Sequence, residues 1–361
     1  MIHWQRIWDD DENTIRDIPV KIIARILSFF YQGVVNLRHW LYTHKIFKET
    51  KLSCPVISVG NITVGGTGKT PCVIMLGHML KKNGFQPAVI SRGYGGRSTN
   101  PINVVSDGKT ILLDSETSGD EPFLIARALK GVPVITGPRR IATGQVAIDK
   151  FGANVLICDD AMQHRQIFRD INLVLWDSEG LKGNHHVLPR GKLREPIAGI
   201  RRASAILMTR AGKDATLDAG IEEIIRDANI PVFKSIHHAQ DLIRGDEGLS
   251  MAVSALRGRK VCAFCGIANP DSFKETIRAA GANILSFAAF RDHHQYNVKE
   301  IEDLTNGYIQ HEADYLMTTE KDAARLKNHP EFLKSLLVLR VKMEIVPSAQ
   351  PFENFIMEKI K

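Results

Sequence analysis

The sequence predicts an α/β fold: a mostly parallel sheet with helices on both faces, a smaller second α/β domain on a two-stranded hinge, and an N-terminal amphipathic helix. Three observations predict it. Short apolar runs alternate with helical segments from residue 56 to residue 160, the same alternation resumes between residues 260 and 318, and a glycine-rich loop joins the first strand to the first core helix. A length of 361 residues suits two domains. The expected division is 1–50 for the amphipathic helix, 51–230 for the core, 231–345 for the smaller domain with its hinge strands, and 346–361 for a C-terminal tail.

In the core, Val56–Val59 reads as a buried strand and Pro71–Lys82 as a helix stopped at Asn83-Gly84. Pro87–Ser91 is a strand followed by the loop Arg92–Arg97, and Glu121–Lys130 is a helix with Pro122 near its start, where helix N-termini favour it. Val132–Thr136 and Asn154–Cys158 are further strands flanking a helix over Ile141–Lys150. Ala211–Asn229 reads as a helical connection. In the smaller domain Lys260–Cys265, Asn283–Ala288 and Tyr315–Thr318 are strands, with helices over Ser272–Ala280 and Val298–Gln310. Pro231–Ile236 and Leu337–Ile345 are the candidate hinge strands.

The loop between the first strand and its helix carries the most specific signal. Thr63, Val64, Gly65, Gly66, Thr67 and Gly68 lead into Lys69-Thr70, in the order strand, glycine-rich loop, Gly-Lys-Thr, helix. That is a phosphate-cradling P-loop, so the core is P-loop NTPase-like. Backbone N–H groups converge on phosphate oxygens, Lys69 reaches the outer phosphates, and the Thr70 hydroxyl holds Mg²⁺. The strict spacing asks for glycine at position 63, where this chain has threonine.

Ligands of such sheets bind beyond the carboxyl ends of the strands. Asp159-Asp160 ends an apolar strand there, the place where a P-loop protein makes its second Mg²⁺ contact. One of the two serves the metal and the other a structural or substrate contact, because adjacent residues of an extended chain face opposite ways. Asp120-Glu121 opens a helix, where the dipole keeps a carboxylate ionised; a plain cap and a proton-accepting base both use that state. His293-His294 follows another strand end, where solvation is the ordinary reading.

Composition narrows the class. The net charge is +7, yet no aromatic-basic interleaving or nucleic-acid motif accompanies it, so nucleic acid is not the expected partner. Five cysteines form no disulfide framework, and Cys262 and Cys265 read as buried strand residues rather than a zinc pair. Basic residues concentrate in Ile18–Lys48, which has no Asp or Glu, and in Lys182–Arg202. In the first segment Lys21, Arg25, Ser28, Gln32, Asn36, His39 and Thr43 form a polar stripe at helical spacing, and apolar residues cover the rest. Its longest stretch free of charged residues, Ile26–Leu37, is short for a span needing about 20 residues. The pattern predicts a helix lying in an anionic membrane interface; the alternative is a helix packed on the protein's own core.

Eight motifs in order, VGNITVGGTGKTP, SRGYGG, SGDEP, DDAMQHR, LPRGKLREP, FCGIANPDSF, FRDHHQY and TTEKDA, resemble those of the tetraacyldisaccharide 4′-kinases of lipid A biosynthesis. The resemblance spans Val59 to Lys321, and that family's P-loop departs from strict spacing in the same way. It implies ATP-dependent phosphorylation, with Mg²⁺, of the 4′-hydroxyl of a lipid A disaccharide 1-phosphate by a monomeric, monotopic enzyme on the cytoplasmic face of the inner membrane. It implies that Asp120 and His293 are catalytic, His294 being the ambiguous neighbour. It places residues 63–70 and Arg194 on the nucleotide, with Thr70, Asp159, Asp160 and Glu195 near the metal and Glu121, His164 and Arg92 toward the acceptor. The family's acidic motif usually reads Asp-Asp-Gly-Phe-Gln-His, whereas Ala161-Met162 stands at its centre here, which puts the loop shape and a lipid or sugar contact in doubt. A soluble small-molecule kinase and a membrane-associated nucleotide switch are the alternatives, the latter disfavoured because a switch needs no base for an acceptor hydroxyl.

Overall fold

The computed structural model describes residues 7–8, 18–178, 184–212, 215–245 and 250–361. Residues 1–6 and 9–17 of the expected 1–50 amphipathic segment, Lys182 of the basic cluster and two residues of the expected 211–229 connection lie outside the described residues.

In chain order, helix α1 (Ile18–Thr43) precedes β1 (Val56–Gly60), α2 (Lys69–Lys82), β2 (Pro87–Ser91), β3 (Asn103–Ser106), α3 (Ser115–Ser118), α4 (Asp120–Ala128) and β4 (Val134–Thr136). There follow α5 (Arg140–Phe151), β5 (Val155–Asp159), β6 (Ile171–Asp177), β7 (Ala205–Thr209), α6 (Ala219–Asp227), β8 (Val232–Arg244) and β9 (Ser250–Met251). The chain ends with β10 (Lys260–Cys265), α7 (Pro270–Ala279), β11 (Asn283–Ala289), α8 (Val298–Gln310), β12 (Tyr315–Thr319), α9 (Glu320–Arg325), α10 (Pro330–Ser335), β13 (Leu336–Val346) and α11 (Gln350–Ile360).

These elements form two compact units. The first comprises residues 1–92, 139–236 and 345–361, and the second 93–138 and 237–344. The sequence reading had assigned 93–138 to the P-loop core, following the unbroken βα alternation. Packing decides otherwise: Phe123 and Leu124 of α4 bury themselves against Ala324 of α9, and the Ser115 hydroxyl donates to the Ala324 carbonyl at 2.9 Å.

In the first unit β7, β6, β1, β5 and β2 lie side by side, every pair parallel, with the start of β8 against β7. β1, β2, β5 and β7 are buried at every residue, as parallel strands covered on both faces must be. β6 and β7, whose runs INLVLWD and AILMT are apolar, lie on either side of the basic stretch Lys182–Arg202 and are not among the expected strands. The expected tail is instead helix α11, which buries Phe352, Ile356 and Ile360 and sets Phe352 edge-on to Phe233 at 5.1 Å. In the second unit β11, β10, β12 and β13 are parallel neighbours, β8 lies beside β13 and pairs antiparallel with β9, and β3 pairs antiparallel with β4. Helix α8 starts with a capping box, Asn297 and Glu300 each accepting from the other's backbone N–H.

Helix α1 inverts the usual rule. Ile22, Ile23, Ile26, Leu27, Phe29, Phe30, Val34, Leu37 and Trp40 are exposed, whereas Ala24, Ser28 and Tyr42 are buried. Its inward side is fixed by polar contacts. The Ser28 hydroxyl donates to the Val187 carbonyl at 2.8 Å, Tyr31 to the Arg194 carbonyl at 2.7 Å and Arg38 to the Gln163 carbonyl at 2.9 Å. So Ser28 and His39 of the predicted polar stripe turn toward the protein, while the apolar residues of the helix face outward. By length and composition α1 is also long and apolar enough to cross a membrane, which the count of charge-free residues alone had argued against.

Candidate active site

The first unit carries the P-loop. β1 ends at Gly60, where any Cβ would lie 2.6 Å from the Met162 side chain. The chain then turns through Gly65 at φ 111° and Gly68 at φ 84°, the latter at the N-cap of α2. Such positive values are open to glycine without strain, so the glycines fall where the backbone needs them. The segment 187–194 braces this loop: Val64 N–H donates to the Lys192 carbonyl at 2.8 Å and Arg194 N–H to the Ile62 carbonyl at 2.7 Å. Arg210 braces it from the end of β7, donating to the Gly66 carbonyl at 3.1 Å while paired with Asp177.

Lys69 is 9% exposed, with Nζ 3.4 Å from Asn61 Oδ1 and 3.6 Å from Asp160 Oδ1. Arg194 Nη1 donates to both Asp160 oxygens at 2.9 and 3.0 Å. Asp159 is buried and accepts from the Ser91 hydroxyl at 3.2 Å. Thr67 is buried inside the loop, and its Oγ1 has no hydrogen-bond partner among the described residues. An orphaned hydroxyl in a loop of convergent amides fits a phosphate oxygen. The hard oxygens of Thr70, Asp159 and Asp160 suit Mg²⁺. Among the described residues no three His, Cys, Asp or Glu side chains form a metal cluster.

Glu195 has both carboxylate oxygens engaged. Its Oε1 accepts from Gln163 Nε2 at 2.9 Å, and its Oε2 is taken by His39 Nε2 at 2.9 Å and by Arg202. Burial opposes its ionisation, but the His39 hydrogen bond, the Arg202 charge and the Gln163 amide outweigh it and hold the carboxyl down at about 2. Glu195 thereby ties α1 to the segment bracing the P-loop. His164 is pushed down to about 4, first by burial and then by Arg140, Arg38, Arg169 and Arg92, so it is neutral at pH 7. Its Nε2 is buried without a hydrogen-bond partner among the described residues. Ala161 and Met162 are both fully buried, Met162 among Ile62, Val174 and Trp176, so this departure from the usual motif fills core and does not face a ligand.

The second unit carries Asp120 and His293. Gly119, at φ 93°, lets the chain turn into α4; a Cβ there would lie 2.5 Å from the Tyr94 carbonyl oxygen, which fastens the SRGYGG loop to SGDEP. Asp120 makes no cap. Its Oδ2 accepts from Arg325 Nε at 2.6 Å and lies 3.4 Å from His293 Nδ1. Burial opposes ionisation here too, but the His293 hydrogen bond and the Arg325 charge hold Asp120 below the usual aspartate range. His293, at φ 58°, is 40% exposed and meets the Tyr94 ring edge-on at 6.2 Å. His294 points elsewhere, pairing with Glu300 at 3.0 Å and stacking on Phe290 at 4.7 Å. Glu121 is engaged by Lys321 at 2.7 Å.

The sequence did not single out Arg325, Asp322, Arg210, Gln163 or His39 for these roles. Arg325 lies just beyond TTEKDA, but a buried arginine at the end of a short helix carries no local signature.

The sequence profile of the family described as tetraacyldisaccharide-1-P 4′-kinase matches residues 20–361. The chain belongs to that family. Among relatives, it is 40% identical over 366 residues to the tetraacyldisaccharide 4′-kinase of Syntrophus aciditrophicus (strain SB), covering 99% of this chain and 98% of that protein. It is 38% identical over 347 residues to that of Desulfatibacillum aliphaticivorans, covering 94% and 92%. Among solved structures, the "apo" form of LpxK from Aquifex aeolicus in complex with ATP superposes with a TM-score of 0.76 at 29% identity, covering 95% of this chain and all of that one. The expected α/β fold stands, and as a family member the chain is a kinase.

Proposed function

We propose that the protein transfers the γ-phosphate of ATP to the 4′-hydroxyl of a tetraacyldisaccharide 1-phosphate, with Asp120 as base. The observation that carries this reading is a partly buried aspartate, kept ionised by a buried arginine and in contact with a histidine, in a chain that also holds a complete P-loop.

The P-loop amides and Thr67 bind the phosphates, and Lys69 and Arg194 draw the outer charge toward Asp160 and the loop. Thr70, with Asp159 and Asp160, would hold Mg²⁺, which when bound neutralises charge on the β- and γ-phosphate oxygens. Asp120 orients the acceptor hydroxyl and accepts its proton as the O–P bond forms; His293 relieves Asp120 of it. Phosphoryl transfer has a loose transition state, so positioning and charge supply most of the acceleration. Neutral His164, set among four arginines, and Arg92 suit the anionic acceptor. Glu121 beside Asp120 orients the sugar.

The acceptor does not leave a bilayer, and α1 meets it there. Its apolar side is exposed while Ser28, Tyr31, Arg38 and His39 bind it to the protein. A helix sewn down one side cannot be wrapped by lipid all round, which favours the interface of the inner membrane's cytoplasmic face over a span. Phe29→Ser with Phe30→Ser should abolish sedimentation with anionic vesicles; undiminished sedimentation refutes the membrane reading.

The deciding experiment is transfer of labelled γ-phosphate from ATP to a tetraacyldisaccharide 1-phosphate in detergent micelles, with Asp120→Ala as control. Transfer that disappears in the variant is expected. Lipid-independent ATP hydrolysis without transfer would overturn the assignment in favour of a nucleotide switch, and a variant keeping most of its activity would remove Asp120 as base.

A further inference from the structure

Arg325 sits at the centre of the Asp120 network and has no exposed side-chain surface. Nε donates to Asp120 Oδ2 at 2.6 Å, and Nη1 donates to the Gly266 carbonyl at 2.8 Å and Asp322 Oδ1 at 3.1 Å. Nη2 lies 3.3 Å from His293 Nδ1. Asp322 is itself fully buried and fixed: its Oδ1 also accepts from Gly266 N–H at 3.0 Å and the Tyr296 hydroxyl at 2.8 Å, and its Oδ2 from the Thr319 hydroxyl at 2.6 Å. The guanidinium is therefore clamped from behind before it reaches Asp120.

A guanidinium has donors and no acceptor. His293 Nδ1 faces two groups at once, the Asp120 carboxylate at 3.4 Å and the guanidinium at 3.3 Å. We propose that Arg325 is the positioning residue of the base: its fork, clamped from behind by Asp322 and the Gly266 carbonyl, fixes the Asp120 carboxylate beside His293. The proton moves from the acceptor oxygen to Asp120, the electron pair left on that oxygen forms the bond to phosphorus, and the bond from phosphorus to the β-phosphate oxygen breaks as ADP leaves. Arg325 keeps all its own protons, since guanidinium does not deprotonate in proteins.

The charged groups around Asp120 are Arg325, Lys321 and Asp322 from α9, His293 and Asp292 from the loop after β11, and Glu121 on α4, which Lys321 engages. Arg325 contacts the Asp120 carboxylate directly and lowers it both by its charge and by its hydrogen bond, so its loss should raise Asp120.

This inference rests on the reading of Asp120 as base, and the test separates the two. Arg325→Met and Arg325→Lys are assayed for phosphate transfer across pH beside Asp120→Ala. For Arg325→Met, kcat should fall by roughly a hundredfold, as misplaced catalytic groups commonly cost. The acidic limb of its pH profile should move up by about one unit or more, since an adjacent cation lowers a carboxyl by that much. KM for ATP should stay within about twofold, because uniform binding is untouched. Arg325→Lys keeps the charge but not the fork, so the limb should stay near wild type while kcat falls to an intermediate value. A folded Arg325→Met with an unmoved acidic limb overturns the inference while leaving the base reading intact. An active Asp120→Ala overturns both. Should Arg325→Met not fold, Arg325→Lys decides: a fall in kcat with KM for ATP unchanged is expected, and wild-type kcat overturns the inference.

Discussion

Glu195 and Asp120 are built from the same parts. Each is a carboxylate gripped by an arginine and a histidine, and each is held ionised against the cost of burial. They differ in what is left over. Glu195 has 1% of its side chain exposed and both oxygens occupied, whereas Asp120 has 16% exposed and receives both partners on Oδ2, leaving Oδ1 out of the network. A saturated carboxylate joins elements, and one with an oxygen to spare can take a proton. A depressed pKa alone does not distinguish the two; occupancy does.

The largest test of that contrast is rate. Asp120→Asn keeps the shape and removes the proton-accepting charge, so turnover should fall by roughly 10²- to 10⁴-fold, the usual worth of general base help. Its melting temperature should move less than that of Glu195→Gln. Loss of stability without loss of turnover would reverse the roles assigned here.

Glu195→Gln should instead cost stability, about 3 kcal/mol, because removing one partner leaves buried charges unmatched. Denaturant unfolding near pH 7 reads this. The pH dependence has a definite sign. The folded pKa of Glu195 is about 2, below its ordinary 4.5, so its contribution is fully present above pH 4.5 and is lost as pH falls toward 2. The gap between wild type and Glu195→Gln should therefore narrow on acidification through that window, and a constant gap would refute the assignment of Glu195 as an ionised latch.

The same contrast explains what was legible in the sequence. The P-loop could be read because its parts are close along the chain, β1, loop and α2 being consecutive. Its brace by Arg194 on Asp160 spans 34 positions and was reached only through motif resemblance. Arg325 stands 205 positions from Asp120, and no local pattern connects them. Helix α1 was legible as amphipathic, but which side faces the protein was not: spacing shows that a stripe exists, and only the Ser28 and His39 contacts show that it turns inward. Asp120 read equally well as a cap until its carboxylate was seen to bypass the helix N-terminus for Arg325.

The assignment of residues 93–138 to the unit completed by 237–344 has a consequence for how the protein is made. During synthesis the P-loop, its β1–α2 frame and the strands around it can assemble while the later half of the chain is still being added. Asp120 has long since emerged by then, but Arg325 and His293 have not, so its charge stays in water until the partners arrive. Non-local pairing of this kind is slow and exposes apolar surface while it waits. The P-loop thus emerges long before the partners that complete the Asp120 network, while α11, which belongs to the P-loop unit, emerges last of all.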